Sequence, residues 1–351
     1  MKKKLLMLFT AIIILCSCNY NENVVRIAAI LPLTGEAAQS GEVNKNTISM
    51  LVETWNKAGG INGKEIVIDF YDSKGESKNG SILASQIVSM QKPIFVFTSF
   101  SGISLSAQPI FERNKVIQIC GAATDKLFEI NPKYTIRSYF SSSNMSDYFI
   151  NNFEAYFDKK KFVLFYENTD YGLSYKNEFS NSQVVSNYIE LNEKENNYRN
   201  IISKAQLKGD ELIFLAARLQ TIGRIVKQLR ESGFNGNIIG DAAMVGDEPL
   251  NIIGNQKDNL YYLSLSENEN TGKIKDEYFE KFNSNIDIIS LVIYDGLNSL
   301  LNLMDENGGN TDPDFIIKNA NGIISNKCLN NTTVRNNEFH FPVHIKSIDN
   351  E

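Results

Sequence analysis

Three loops carry side chains whose types and spacing could do chemistry. Each follows an apolar, strand-like run. After residues 93–98 (PIFVFT) comes Ser99-Phe100-Ser101-Gly102-Ile103-Ser104, which opens a helical pattern. A serine hydroxyl beside the free N–H groups of a helix start makes an anion site of carboxylate size, although capping the helix is the everyday use of such a residue. After residues 116–120 (VIQIC) comes Gly121-Ala122-Ala123-Thr124-Asp125, whose small side chains let backbone approach a ligand closely. After residues 161–166 (KFVLFY) comes Glu167-Asn168-Thr169-Asp170-Tyr171-Gly172, which sets an aromatic at a helix start. A fourth loop, after residues 211–216 (ELIFLA), offers Arg218, whose guanidinium either meets a carboxylate or sits in solvent.

Catalytic and metal-binding patterns are sparse by comparison. No G-x-S-x-G elbow, H-E-x-x-H pair or phosphate-cradling G-x-x-x-x-G-K-[ST] loop is present. His340 and His344 are the two histidines, and only a helix would bring an i, i+4 pair together. Pro342 stands between them in an extended-looking run, where positions four apart lie roughly 13 Å from each other, too far to share one ion. An extracytoplasmic hydrolase would need one of these histidines as its base, so neither an enzyme, a metal nor a cofactor is expected. Lys and Arg number 35 against 41 Asp and Glu, for a net charge of -6 over 351 residues. Without a basic stripe the chain is a poor match for nucleic-acid phosphates.

The elements that must position those loops alternate strand and helix. Strand-like runs at 24–31, 65–71, 93–98 and 116–120 are separated by helical periodicity at 41–58, 79–91 and 102–114. The pattern restarts after Tyr139, with strands at 161–166, 184–191, 211–216, 237–240 and 260–265 and helices between them. Later helices are expected at 273–282, 286–303 and 313–318, before a β-like tail. Such alternation predicts an α/β protein with parallel sheets, and its restart predicts two Rossmann-like lobes. In open sheets of this kind, ligands bind at the carboxyl ends of the strands, where the four loops lie.

The N-terminus bears on location. Lys2, Lys3 and Lys4 precede an apolar run of about a dozen residues, short for a hydrocarbon core of about 30 Å. It ends in Leu15-Cys16-Ser17-Cys18, which resembles the bacterial lipobox. That resemblance implies a signal peptide over 1–17, a lipid on Cys18, a polar tether over 18–23, and an extracytoplasmic, membrane-anchored lipoprotein in the periplasm or at the cell surface. Cys120 and Cys328 then remain, and two buried free thiols are the reading we prefer.

Taken in order, the motifs resemble the type I periplasmic binding proteins of the branched-chain amino acid (Leu/Ile/Val) class. The pieces are Leu33-Thr34-Gly35 with Gln39-Ser40-Gly41, Asn56 through Gly63 (NKAGGING), Asp72, the serine-rich loop at 99–104, Ala122-Ala123-Thr124, Asp170-Tyr171-Gly172 and Tyr294-Asp295-Gly296. The resemblance implies two lobes, 24–139 plus 267–325 and 140–266 plus 326–351, joined by three crossings near 138–141, 263–267 and 323–330. It implies a monomer that closes over an amino acid or related small carboxylate and delivers it to an ABC permease; a sensory protein that controls a partner without transport is the alternative. Ser101, with Ser99, Gly102 and the following amides, would hold the ligand carboxylate. Ala122, Ala123 and Thr124 would hold its ammonium, and Tyr171 would close as a lid. An acid from the second lobe, Asp241 with Ala242 one residue of register away, would supply the compensating charge. Two departures mark the ligand end. Ser40 stands where an aromatic often follows the first-loop Gln, and Arg218 stands where a small or aromatic residue is usual, which points to a second carboxylate on the ligand.

Overall fold

In the computed structural model, residues 23–90, 92–325 and 327–348 are described. The lipobox and signal-peptide assignments fall on residues 1–22 and lie outside them. Elements β1 (Val24–Leu31), α1 (Ala38–Lys57), β2 (Glu65–Asp72), α2 (Ser77–Met90), β3 (Phe95–Ser99), α3 (Ser101–Asn114), β4 (Ile117–Gly121) and β5 (Thr135–Arg137) build the first lobe. The second begins with α4 (Ser142–Phe157), β6 (Phe162–Glu167), α5 (Asp170–Ser180), β7 (Val185–Leu191) and α6 (Arg199–Ala205). It continues through β8 (Ile213–Ala216), α7 (Leu219–Glu231), β9 (Ile238–Gly240), α8 (Asp247–Ile253) and β10 (Leu260–Leu265). Helices α9 (Thr271–Phe282), α10 (Ile288–Glu306) and α11 (Pro313–Ala320) follow, then β11 (Ile324–Ser325), β12 (Thr332–Arg335), β13 (Glu338–His340) and β14 (Val343–Ser347).

Two sheets result, with strand orders β11-β12-β13-β5-β4-β3-β1-β2 and β14-β10-β9-β8-β6-β7. Pairing is parallel from β5 through β2 and from β10 through β7. Central strands such as β3 and β8 are buried along their whole length, as strands covered on both faces must be. The covering helices bury one stripe each: in α7, Ile222, Ile225, Val226 and Leu229 turn inward, and Gly233 follows with a φ of 88°. The second lobe is packed around phenylalanines, with Phe149, Phe153, Phe162, Phe179 and Phe214 in mutual ring contact. Helix α10, buried over most of its length, returns to the first lobe, where Asn298 accepts a hydrogen bond from the indole of Trp55 at 3.1 Å.

The tail departs from the boundaries expected of it. The sequence reading assigned 326–351 to the second lobe, but β12 and β13 join the first sheet, β13 pairing with β5 through Glu338 and Arg137. Only β14 crosses to the second sheet, antiparallel to β10. A tight hairpin explains this: Asn336 and Asn337 take φ of 51° and 62°, the left-handed pair that a two-residue turn needs. The last passage between sheets therefore falls at Phe341–Pro342, later than 323–330. His340 and His344 end up on strands of different sheets, and no metal-binding group of His, Cys, Asp or Glu occurs among the described residues. Cys120 and Cys328 are both free and buried, and burial pushes the Cys120 thiol up to about 12. No helix among the described residues is long and apolar enough to cross a membrane.

Candidate ligand-binding cleft

The carboxyl ends of the parallel strands in the two sheets face one cleft of about 920 Å³. Its size is near the upper end of the range usual for small-molecule sites. Several of the motif residues serve to pin its walls. Asp72 at the end of β2 accepts bonds from the amides of Leu33 and Thr34 and from the Thr34 hydroxyl at 2.6 Å. Burial alone would raise its pKa, but these hydrogen bonds and one from the Lys74 amide outweigh it and hold the carboxyl below its ordinary value. Gly172 lets the start of α5 rest against the end of β6, since a Cβ there would stand 2.1 Å from the Glu167 carbonyl.

On the first-lobe wall, Ser99 comes from the end of β3, Ser101 and Gly102 from the start of α3, Ala122 and Ala123 from just after β4, and Ser40 from α1. Helix α3 has no side-chain cap. Its N-cap is Phe100 at φ 71°, a left-handed conformation that is strained for a bulky side chain and turns the helix start toward the cleft. Ser101 Oγ is buried and finds no hydrogen-bond partner among the described residues, and the same holds for Thr124 Oγ1. Thr124 sits one residue behind the lining. The Ala123 carbonyl is already engaged by Arg137 Nη1 at 2.8 Å and by the Ser142 amide at 2.9 Å.

The second-lobe wall is built differently. Tyr171 lines the cleft, but its hydroxyl donates to Asp241 Oδ2. Tyr175, one helical turn on, donates to the same oxygen at 2.5 Å, and Asp241 Oδ1 accepts the Ala243 amide at 2.9 Å. Asp241 is thus buried behind the tyrosines, outside the lining, and Ala243 rather than Ala242 reaches the cleft surface. Burial raises the Asp241 carboxyl above its ordinary 3.8, with the tyrosine and Ala243 bonds opposing it. Tyr171 and Tyr175 are held well above the usual phenol range by burial and by that neighbouring carboxylate, so both remain donors. Arg218 also lines the cleft, yet its Nε donates to Glu167 at 2.8 Å and its Nη2 to Glu193 at 2.5 Å. Glu167 in turn accepts the Thr221 hydroxyl at 2.6 Å.

Eight of the ten residues expected at the site thus share one cleft, while Thr124 and Asp241 lie just behind its surface. Sequence reasoning missed Tyr175, Glu193 and Tyr139, a lining residue at the first passage between lobes. The i, i+4 spacing of Tyr171 and Tyr175 on one helix face was a signal for the first; nothing local pointed to the other two. The lobes meet across the cleft: Gln220 Nε2 donates to the Glu36 carbonyl at 2.5 Å, and Lys126 lies 3.6 Å from Asp170.

A family model described as periplasmic binding protein matches residues 24–344. A Leu/Ile/Val-binding protein homologue of Brucella melitensis is 25% identical over 256 residues, which cover 68% of this chain and 66% of that one. A leucine-, isoleucine-, valine-, threonine- and alanine-binding protein of Pseudomonas aeruginosa is 24% identical over 74% of this chain and 71% of its own. Among solved structures, the substrate-binding protein LivJ of Streptococcus pneumoniae in complex with isoleucine has a TM-score of 0.79 at 20% identity, covering 92% of this chain and 100% of that one. A solute-binding protein of an ABC transporter from Rhodopseudomonas palustris, in complex with 3,4-dihydroxybenzoic acid, has a TM-score of 0.82 at 18% identity, covering 93% of each chain. With the two-sheet architecture, the cleft at its strand ends and the match over 24–344 together, the chain belongs to the periplasmic binding proteins and has their type I fold.

Proposed function

We propose that this solute-binding protein captures an amino acid, or a related small carboxylate, outside the cytoplasm and passes it to an ABC-type permease, with the lipid on Cys18 as its membrane anchor. The observation that carries the reading is the Ser101 hydroxyl. It is buried, has no partner among the described residues, and stands at the uncapped start of α3 on the cleft wall. A buried hydroxyl without a partner is costly, and a ligand carboxylate would relieve it while meeting the positive end of the helix. The ligands bound in the LivJ and R. palustris structures, isoleucine and a benzoic acid, share a carboxylate, which supports the same end of the site. The ammonium end follows a changed route. Asp241 is committed to two tyrosines, so its charge reaches the ligand through Tyr171, whose oxygen keeps lone pairs after its proton is donated inward.

Mass spectrometry of whatever co-purifies with the protein, followed by calorimetry with that compound, tests the reading. A carboxylate that binds wild type and loses at least tenfold with Ser101→Ala is expected. Wild-type affinity in that variant, or a ligand without a carboxylate, would overturn it. Detergent-phase partitioning that Cys18→Ala leaves unchanged would sink the anchor.

A further inference from the structure

Among the described residues Arg218 offers the one guanidinium on the cleft wall, and an unpaired arginine there would recruit a ligand with a second carboxylate. The geometry denies it that role. Its Nε and backbone N–H both point to Glu167, and its Nη2 to Glu193. Two carboxylates around one guanidinium leave this part of the wall with a net charge of one negative. The lining as a whole has the same sign, with six acidic side chains against four basic ones among the described residues.

The two acids do different work. Glu167 is 1% exposed and also holds Thr221, so it is a fixed part of the wall. Glu193 is 37% exposed, on the loop between β7 and α6, and holds only the outer arm of Arg218. Removing the Glu193 charge therefore leaves the arginine in place, still fastened at Nε, but with its Nη2 side unneutralised.

We propose that Glu193 sets the charge specificity of the cleft: by neutralising Arg218 it makes the site reject ligands with a second carboxylate and accept those whose far end is neutral. This rests on the amino-acid reading above and goes beyond it, because it names the class of side chain admitted and the residue that decides it. It also replaces the acidic preference that Arg218 implied in the sequence. In a closing cleft that sheds water, a third carboxylate beside Glu167 and Glu193 would face like charge, with the Arg218 guanidinium already shared between those two acids.

Calorimetry with leucine, glutamine and glutamate as probes tests this on the whole protein. Wild type should bind leucine or glutamine at least tenfold more tightly than glutamate. Glu193→Gln, on a partly exposed loop, should keep its unfolding transition and raise the glutamate-to-glutamine affinity ratio at least tenfold. Glu193→Gln combined with Arg218→Met should cancel that gain. A ratio that Glu193→Gln leaves unmoved, or wild-type glutamate binding as tight as glutamine, would overturn the proposal alone. Binding of none of the three probes by any of these proteins would overturn the amino-acid reading, and the proposal with it.

Discussion

On the first-lobe wall of the cleft, two neutral hydroxyls at and just behind the surface are unspent: Ser101 Oγ and Thr124 Oγ1 have no partner among the described residues. On the second-lobe wall two charged groups are already matched, Asp241 by Tyr171 and Tyr175, and Arg218 by Glu167 and Glu193. The first wall is built to receive hydrogen bonds from outside the protein. The second is built to hold its own shape and to present a fixed charge. On the function proposed above, a ligand entering such a cleft would gain most of its directed bonding from one side and most of its selection from the other.

The largest test of that contrast is Asp241→Ala. It strands two phenol hydroxyls, one of them fully buried, and each such group costs about 1–3 kcal/mol. Unfolding in denaturant should show a loss of about 3–5 kcal/mol even without ligand. The same carboxylate has a pH signature. Its native pKa lies above the ordinary 3.8, so the native state binds the proton more readily than the unfolded chain. Measured against Asp241→Asn, the wild type should be relatively most stable below the ordinary carboxylate pKa. That advantage should fall away as pH rises through the raised native value. A pH-independent difference between the two proteins would contradict this.

A smaller effect, opposite in kind, is expected for Ser101→Ala and Thr124→Val. Neither hydroxyl makes a bond among the described residues, so the empty variants should melt at or slightly above the wild-type temperature. Ligand affinity should nevertheless drop, by at least tenfold for Ser101, in line with the ~1.5–3 kcal/mol of a hydrogen bond to a charged group. Parallel losses of stability and affinity would mean that both walls are scaffolds. The smallest expected change is that of Lys126→Ala, which removes one ion pair between the lobes, with both members more than a third exposed. Affinity should shift by under about 1 kcal/mol, and its dependence on salt should weaken.

How much of this was legible follows from what each residue does. The strand and helix order could be read because buried parallel strands such as FVFTS and IFLA are nearly pure apolar runs between helix-period stretches. The motif residues that carried the resemblance turn out largely to be fasteners. Asp72 ties down the first loop, and Asn56 clamps the amide and carbonyl of Ile66 at 2.8 and 2.9 Å. Asp295 accepts from Ser325 at 2.8 Å and from the Cys328 amide at 3.3 Å. They identify the scaffold and are silent on the ligand. The tail was misassigned because an Asn-Asn hairpin looks like any polar loop until its φ angles are seen. Arg218 lies on the cleft wall and Asp241 just behind it, but their partners are 25 to 70 residues away, and no local pattern reports which charge a distant loop will neutralise.

The contacts across the mouth of the cleft have a consequence for apparent affinity. Gln220 reaches a backbone carbonyl at Glu36, and Lys126 stands 3.6 Å from Asp170, both at solvent-exposed positions. Bonds of that sort contribute little in water, so they do not lock the empty protein shut. The apparent dissociation constant is the intrinsic one divided by the fraction of molecules in the binding-competent state. A weakly latched mouth lets that fraction be tuned by one or two surface residues without touching the groups that recognise the ligand. On the proposed function, apparent affinity and selectivity would then be separable properties, the first set on the rim and the second in the walls.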